Sequence, residues 1–443
     1  MGDASLSTSS RAPPSPNSLS PARSPPSASS LPVDVLAIIF AHAVNIPLGV
    51  TPHGGYLDSW QTNETLSGLA LVCRGWVEAA TNILYRSVFL SSRQSTDLFL
   101  RTLADSPFLP GKVIFLVLGF SGNEASPPFP ETAQDSLVLL EALRRCAGNV
   151  THLHLHRLHL QTQPQLLETL SRTSSLETLI CSPDFTNSER DDQMSGSLAS
   201  NSTTEATSIR NGRPPNAGAV RFRLPSSLRC LELDFESTWN ADLLPFHEAL
   251  SNSRRLKRLR LRCDTAEAAL LREMLEQCAS LEVCELYFEQ LLPRTGTAAA
   301  LRPSARSMKH MLFITNPTID KLVHVDLTAT PIFDQLLPAY TSLETLSVSS
   351  TEVSSSVMRL VPSSLQALEI QAFNHQSTFV YTPQLAADLR NPTLATGLKS
   401  LRIHDAAEAW EEADIAVLRR ACAERGIDFH FKLDSDVASH RED

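Results

Sequence analysis

One spacing of apolar residues returns along most of this chain: apolar-x-x-apolar-x-apolar. It occurs at Val113/Leu116/Leu118, Val150/Leu153/Leu155, Leu176/Leu179/Cys181, Leu228/Leu231/Leu233, Leu256/Leu259/Leu261 and Leu281/Cys284/Leu286. Looser copies follow at Met308/Met311/Phe313 and Leu322/Val325/Leu327, and clean ones at Leu343/Leu346/Val348, Leu365/Leu368/Ile370 and Leu398/Leu401/Ile403. The last two apolar positions of each copy stand two apart, the period of a β-strand with one face turned inward. Where nothing is inserted, the copies recur every 21 to 28 residues. Helical patterns fill the intervals. Ala266–Ala279 gathers Leu270, Leu271, Met274, Leu275 and Cys278 on one helix face, with Asp264 and Glu267 at capping-box spacing. Ala406–Arg425 repeats the device with Asp405 and Glu408, and Gly426 supplies a stop. Ser136–Cys146, Gln165–Ser171 and Asp242–Asn252 predict further helices, and Ile427–Phe431 alternates as a closing strand.

A strand–turn–helix unit of this size cannot bury its own apolar face, whereas a stack of them can. The alternation at this period resembles a leucine-rich repeat solenoid. That resemblance implies an α/β fold: a horseshoe of parallel strands over 107–432, helices outside, and a concave strand face left open. The asparagine usual after the strand is missing from most copies, so the resemblance is to the irregular kind. Phe185 to Ala219 carries almost no large apolar residue, and 186–219 is expected to be a disordered insertion between two repeats. A milder irregularity spans Leu291 to Ser307. Residues 1–30 are rich in Ser and Pro and are expected to be a disordered tail. Within it Ser15-Pro16, Ser20-Pro21 and Ser24-Pro25 could accept phosphate from a proline-directed kinase, but a plain solvated tail is the simpler reading. Residues 433–443 form a C-terminal tail.

A different pattern precedes the repeats, over 31–90. Leu31-Pro32 begins a short helix in which Leu36, Ile39, Phe40 and Ala43 recur at helical spacing. A second short helix is predicted around Leu69, Val72, Cys73 and Trp76, with Asn63 as its N-cap. Both are apolar over more than one face, and about sixty residues make a marginal core on their own. Surplus apolar surface on such a unit points to a partner. The series Leu31-Pro32, Val35-Leu36, Ile39-Phe40, Leu69, Val72-Cys73-Arg74 and Trp76, followed by Ile83-Leu84-Tyr85-Arg86-Ser87-Val88, resembles an F-box of the kind found in fungal proteins. The link between the two pieces, Asn45 to Glu64, is longer than a compact F-box usually has. The resemblance implies a helical module that docks onto the Skp-type linker of a cullin–RING ubiquitin ligase. Leu31, Pro32, Val35, Leu36, Ile39, Phe40, Leu69, Val72, Cys73 and Trp76 would then be the linker-binding positions.

Charge and composition narrow the alternatives. A formal net charge of −10 argues against a general binder of nucleic acid or acidic membrane. No stretch approaches the eighteen or so apolar residues of a membrane span, and the N-terminus lacks the apolar core of a secretory signal. The eight cysteines are scattered without a C-x-x-C pair. Cys146, Cys181, Cys230, Cys278 and Cys284 fall on apolar positions, as reduced, buried side chains of a cytoplasmic or nuclear protein would. No phosphate-cradling loop, nucleophile elbow or H-E-x-x-H helix occurs, and no cofactor is expected.

Two clusters remain as a possible ligand face. His152, His154 and His156 alternate along one strand, which places them on one face, within reach of a shared metal in principle. With no cysteine or carboxylate beside them, the simpler reading has Leu153 and Leu155 in the core and the histidines lining the open face. Arg258, Arg260 and Arg262 look like a phosphate-binding patch until neighbouring repeats are aligned. The column through Arg260 then reads Glu232, Arg260, Glu285, and the next reads Asp234, Arg262, Tyr287. Strands about 4.8 Å apart would set opposite charges face to face. Glu369 and Arg402 repeat the alternation. The expected function is that of a non-catalytic substrate-recognition adaptor. The helical module would bind the linker and the repeats an unknown protein target. The alternative is a repeat scaffold outside any ligase.

Overall fold

The computed structural model describes residues 31–43, 67–119, 129–130, 132–156, 163–182, 224–234, 255–263, 268–278, 280–288, 292, 294–315, 329–372, 379, 382–405 and 410–433. The chain divides into two compact units, Met1–Leu84 and Tyr85–Asp443.

The second unit is built on one twelve-stranded sheet. Its strands are β1 (Ser87–Leu90), β2 (Phe115–Leu118), β3 (His152–His156), β4 (Thr178–Ser182), β5 (Cys230–Asp234), β6 (Arg258–Cys263), β7 (Val283–Phe288), β8 (His310–Thr315), β9 (Thr345–Ser349), β10 (Ala367–Ala372), β11 (Ser400–Asp405) and β12 (Asp428–Leu433). Their order in the sheet is their order in the chain, and every neighbouring pair is parallel. Parallel neighbours need a crossover, and here helices such as Ala133–Cys146, Ala268–Gln277 and Glu412–Glu424 supply it. The open sheet with crossover helices on one face is the α/β repeat architecture that the six-residue frame predicts.

The frame explains the core. Leu231, Leu259, Leu261 and Leu286 are fully buried, as are Leu153, Leu179 and Leu401, and one continuous apolar cluster runs from Val88 to Ile427. Burying each such side chain contributes roughly 1.5–3 kcal/mol relative to exposure. Just before a strand one carbonyl receives two donors from the next rung: Lys257 N and Arg258 N both donate to the Arg229 carbonyl, at 2.7 and 3.0 Å. The same pattern recurs along the stack from the Arg86 carbonyl to the Gln366 carbonyl. Ser349 Oγ accepts from Thr315 N (2.7 Å) and donates to Thr315 O (3.0 Å), both buried.

Several expectations need correction. Ser87–Leu90 is the first rung of the sheet, so the repeats begin before 107 and the helical unit stops at Leu84. The helix Arg93–Asp105, opened by a Ser92/Ser95 capping box, went unpredicted because its polar surface hides Phe99 and Leu103. The last helix starts at Glu412, not Ala406; Asp405 ends β11, and Glu411 caps without a side-chain bond. The copy at Leu322 adds no rung between β8 and β9, which pair directly; its residues lie outside those described. The irregular stretch 291–307 contains an ordinary return helix, Arg294–Leu301, that buries Thr297, Ala298 and Ala300 beside Leu301. Gly426 does end the last helix, at φ 69°. The 186–219 insertion, the Asp264/Glu267 capping box, the Asp242–Asn252 helix, Asn63, residues 1–30 and residues 434–443 lie outside the described residues, and Leu433, expected to open the C-terminal tail, belongs to β12. β4 and β5, which flank the insertion, are nevertheless hydrogen-bonded neighbours.

The first unit is helical: α1 (Val33–Ala43), α2 (67–72) and α3 (Arg74–Leu84), with a break at Cys73 between the last two. Its core is Leu36, Phe40, Ala79, Ala80 and Ile83, with Phe40 edge-on to Trp76 at 5.0 Å between ring centroids.

Candidate functional site

Two surfaces concentrate the chemistry, one on each unit. In the helical unit, α1 is apolar on two sides. Leu36 and Phe40, four apart, pack inward. Val35, Ile38 and Ile39, at the same helical spacing on another side, are 40%, 52% and 46% exposed. Leu71 and Val72 at the end of α2 are more exposed still, at 87% and 61%, and Val77 on α3 joins them. Leu36 and Phe40, expected as linker contacts, are instead buried in the unit's own core. Pro32 is exposed, and Leu31, Leu69, Cys73 and Trp76 are half-buried. The exposed apolar set contains Ile38, Leu71 and Val77, which the motif alone did not single out. Reading both i, i+4 sides of α1 would have found Ile38.

On the repeat unit the side chains between the buried leucines line the open face of the sheet, and they change character along the stack. The first rungs are aromatic and apolar. Phe89 lies 5.8 Å from Phe115, which in turn meets the His154 ring edge-on at 4.8 Å. His154 alternates with Leu153 and Leu155 as expected, but it is itself buried, so it does not line an accessible face. Burial pulls its pKa down to about 3, helped by the neighbouring imidazoles of His156 and His152, and keeps it neutral. Burial also lowers His152, whose Nδ1 lies 2.7 Å from Thr151 Oγ1. Among the described residues no three His, Cys, Asp or Glu side chains converge to hold a metal.

The middle rungs carry the charge ladder. Register sets Arg260 between Glu232 and Glu285, and Arg262 beside Asp234, as the aligned frame predicts. Arg258 reaches Glu285 at 2.7 Å and Glu232 at 3.8 Å; Arg260 lies 3.7 Å from each. Its guanidinium also stands over the Tyr287 ring, 5.4 Å from the centroid. The three arginines are thus neutralised by their own neighbours.

A second ladder runs along the strand starts, one position after the first apolar residue of each frame. Glu282 bridges Lys257 (2.5 Å) and Lys309 (2.8 Å), and these hydrogen bonds draw its carboxyl down to about 2. Aligning that column would have revealed it too.

The later rungs are different. β9 and β10 present small side chains, Thr345, Ser347 and Ala367, which floor a depression of about 390 Å³. Val283, Glu285 and Leu312 line it towards the earlier rungs, and Glu369, Ser400 and Arg402 towards the later ones. Glu369, the register partner of Arg402, instead engages Gln371 (3.1 Å) and His404 (3.2 Å). Burial also raises the thiols of Cys146, Cys181 and Cys278 to about 12 and keeps them protonated. No helix among the described residues is long and apolar enough to cross a membrane.

No protein-family model matches the sequence, and no curated protein matches it. Solved structures do. Rad7, from the yeast Rad7–Elc1 complex, aligns at TM-score 0.40 and 12% identity over 90% of this chain and 81% of its own. A Bacteroides fragilis protein aligns at 0.39 and 10% identity, over 77% of this chain and 83% of that one. TLR13, from a complex with a single-stranded RNA, aligns at 0.35 and 13% identity, over 73% of this chain and 42% of that one. At such distances the functional reading rests on this chain's own residues.

Proposed function

We propose that this protein is a substrate-recognition adaptor of an SCF-type cullin–RING ubiquitin ligase. The helical unit would bind a Skp-type linker and the open face of the repeat sheet would bind the protein to be modified. The adaptor catalyses nothing itself. It raises the effective concentration of its target near a ubiquitin-charged enzyme held elsewhere in the assembly. One observation carries the reading. A helical unit whose sequence resembles an F-box keeps Val35, Ile38, Ile39, Leu71 and Val72 in solvent. Lone exposed apolar residues are ordinary, but a set of them on a unit this small marks an interaction surface.

The test is retention of the full chain on an immobilised Skp-type linker. Ile38→Asp combined with Leu71→Asp should reduce retention at least about tenfold, with thermal unfolding unchanged, since a buried interface anchor is worth 2 kcal/mol or more. Leu36→Asp does not serve, because it places a charge in the unit's core. Unchanged retention, or none by the natural sequence, would leave a repeat scaffold outside any ligase.

A further inference from the structure

Among the described residues the sheet ends at β12, which pairs only with β11. Inside the stack the inward side chains are covered by the rungs on either side: Leu368 and Ile370 of β10 and Leu401 and Ile403 of β11 are buried. Their counterparts on β12, Phe429 and Phe431, are only partly covered. The backbone of β12 has an outer edge as well. Asp428 N donates to the Lys399 carbonyl on the β11 side. In a parallel ladder every second residue bonds to the same side, so the N–H and C=O groups of Phe429 and Phe431 point away from β11. Proteins blunt such edges with very short strands, proline or inward-pointing charges. The other edge strand, β1, has only four residues. β12 has six, contains no proline and sets Phe429 and Phe431, not charges, on its inward face.

We infer that this edge pairs with the same edge of a second copy of the chain, antiparallel about a two-fold axis through His430. The residues of β12 complement themselves in that register. Asp428 of each copy stands opposite Lys432 of the other, and both are exposed on the open face. A two-fold contact makes every pair twice, so two opposite-charge pairs form. On the inward face Phe429 meets Phe431, again twice, and each covers what the missing rung leaves open. The outward N–H and C=O groups of these phenylalanines form the hydrogen-bonded pairs. Asp428–Lys432 and His430–His430 fall between them, where opposing side chains approach closest. Other registers fit worse. A slip by one residue turns the phenylalanines to the open face. Setting Phe431 opposite itself puts His430 against Lys432. Setting Phe429 opposite itself puts Lys432 against Gly426, which lies before the strand begins. This pairing stands apart from the adaptor reading, whose test uses residues of the other unit.

The experiment is sedimentation of the full-length chain over a wide range of concentration. The natural sequence should approach twice the monomer mass as concentration rises. Lys432→Asp sets two aspartates against each other at two places in every dimer and should weaken association at least about tenfold. Asp428→Lys combined with Lys432→Asp exchanges the two charges and should restore it, which a mere defect in the last rung would not allow. A second measurement fixes the register. His430→Cys places two thiols across the two-fold axis, in a pair whose Cα spacing a disulfide can span. Mild oxidation should then give a covalent dimer on a non-reducing gel, and the natural sequence treated alike should not. A chain that stays monomeric at every concentration overturns the inference. So does a dimer indifferent to Lys432→Asp, an exchanged pair that fails to restore association, or a His430→Cys chain that does not cross-link.

Discussion

The two units use the same aliphatic residues to opposite ends. In the repeat unit the leucines of the frame are sealed, Leu259 and Leu286 entirely, because each rung covers the next. In the helical unit one side of α1 is sealed by Ala79, Ala80 and Ile83, while Ile38 and Ile39 stay in solvent. Apolar content alone therefore does not separate core from contact surface. The number of neighbours available to cover a side chain does, and a unit of three short helices runs out of them.

This contrast can be broken in graded steps. The largest effect belongs to the stack: Leu259→Ala should cost about 2–5 kcal/mol in urea unfolding, since it opens a cavity between two rungs that cannot collapse freely. A cost under 1 kcal/mol would mean the rungs are not tightly packed. A smaller effect concerns His154. Burial holds its folded pKa at about 3, below the ordinary value of 6.5. The unfolded chain then takes up a proton that the folded chain refuses. The contribution is fully present above pH 6.5 and is lost progressively as the pH falls towards 3. His154→Gln should flatten that part of the stability profile, and urea midpoints at pH 7 and pH 4.5 read the difference; parallel profiles for both proteins would contradict the burial. The smallest effect belongs to the helical unit, where Ile38→Ala and Leu71→Ala should each move stability by no more than about 0.5 kcal/mol. If either costs as much as Leu259→Ala, that residue belongs to a core and not to a contact surface.

Much of the repeat unit was legible before any coordinates. The two-residue step at the end of each frame names the buried leucines, and aligning frames gives the register that sets Glu232, Arg260 and Glu285 side by side. That works because parallel strands in chain order need only one offset per rung. Helix boundaries were less legible. Asp405 and Glu408 have capping-box spacing, but strand β11 takes up Asp405 for its own hydrogen bonding with β12. The burial of His154 was hidden as well, because strand alternation assigns a face but not what covers it. The motif likewise assigned Leu36 and Phe40 to a partner; only packing separates the inward side of α1 from the outward one. Arg402 was visible as half of an expected Glu–Arg pair. Its isolation follows from a competitor, His404, two residues further along the same strand.

The agreement between strand order and chain order has a mechanical consequence. Among the described residues, each strand of the second unit's sheet pairs with the strand before it and the strand after it in the chain. Tension applied between the ends of that unit would meet them in succession, as in a zip fastener opened from its ends, and each would give way with a short extension. The force trace would be a staircase of small yields instead of a single rupture.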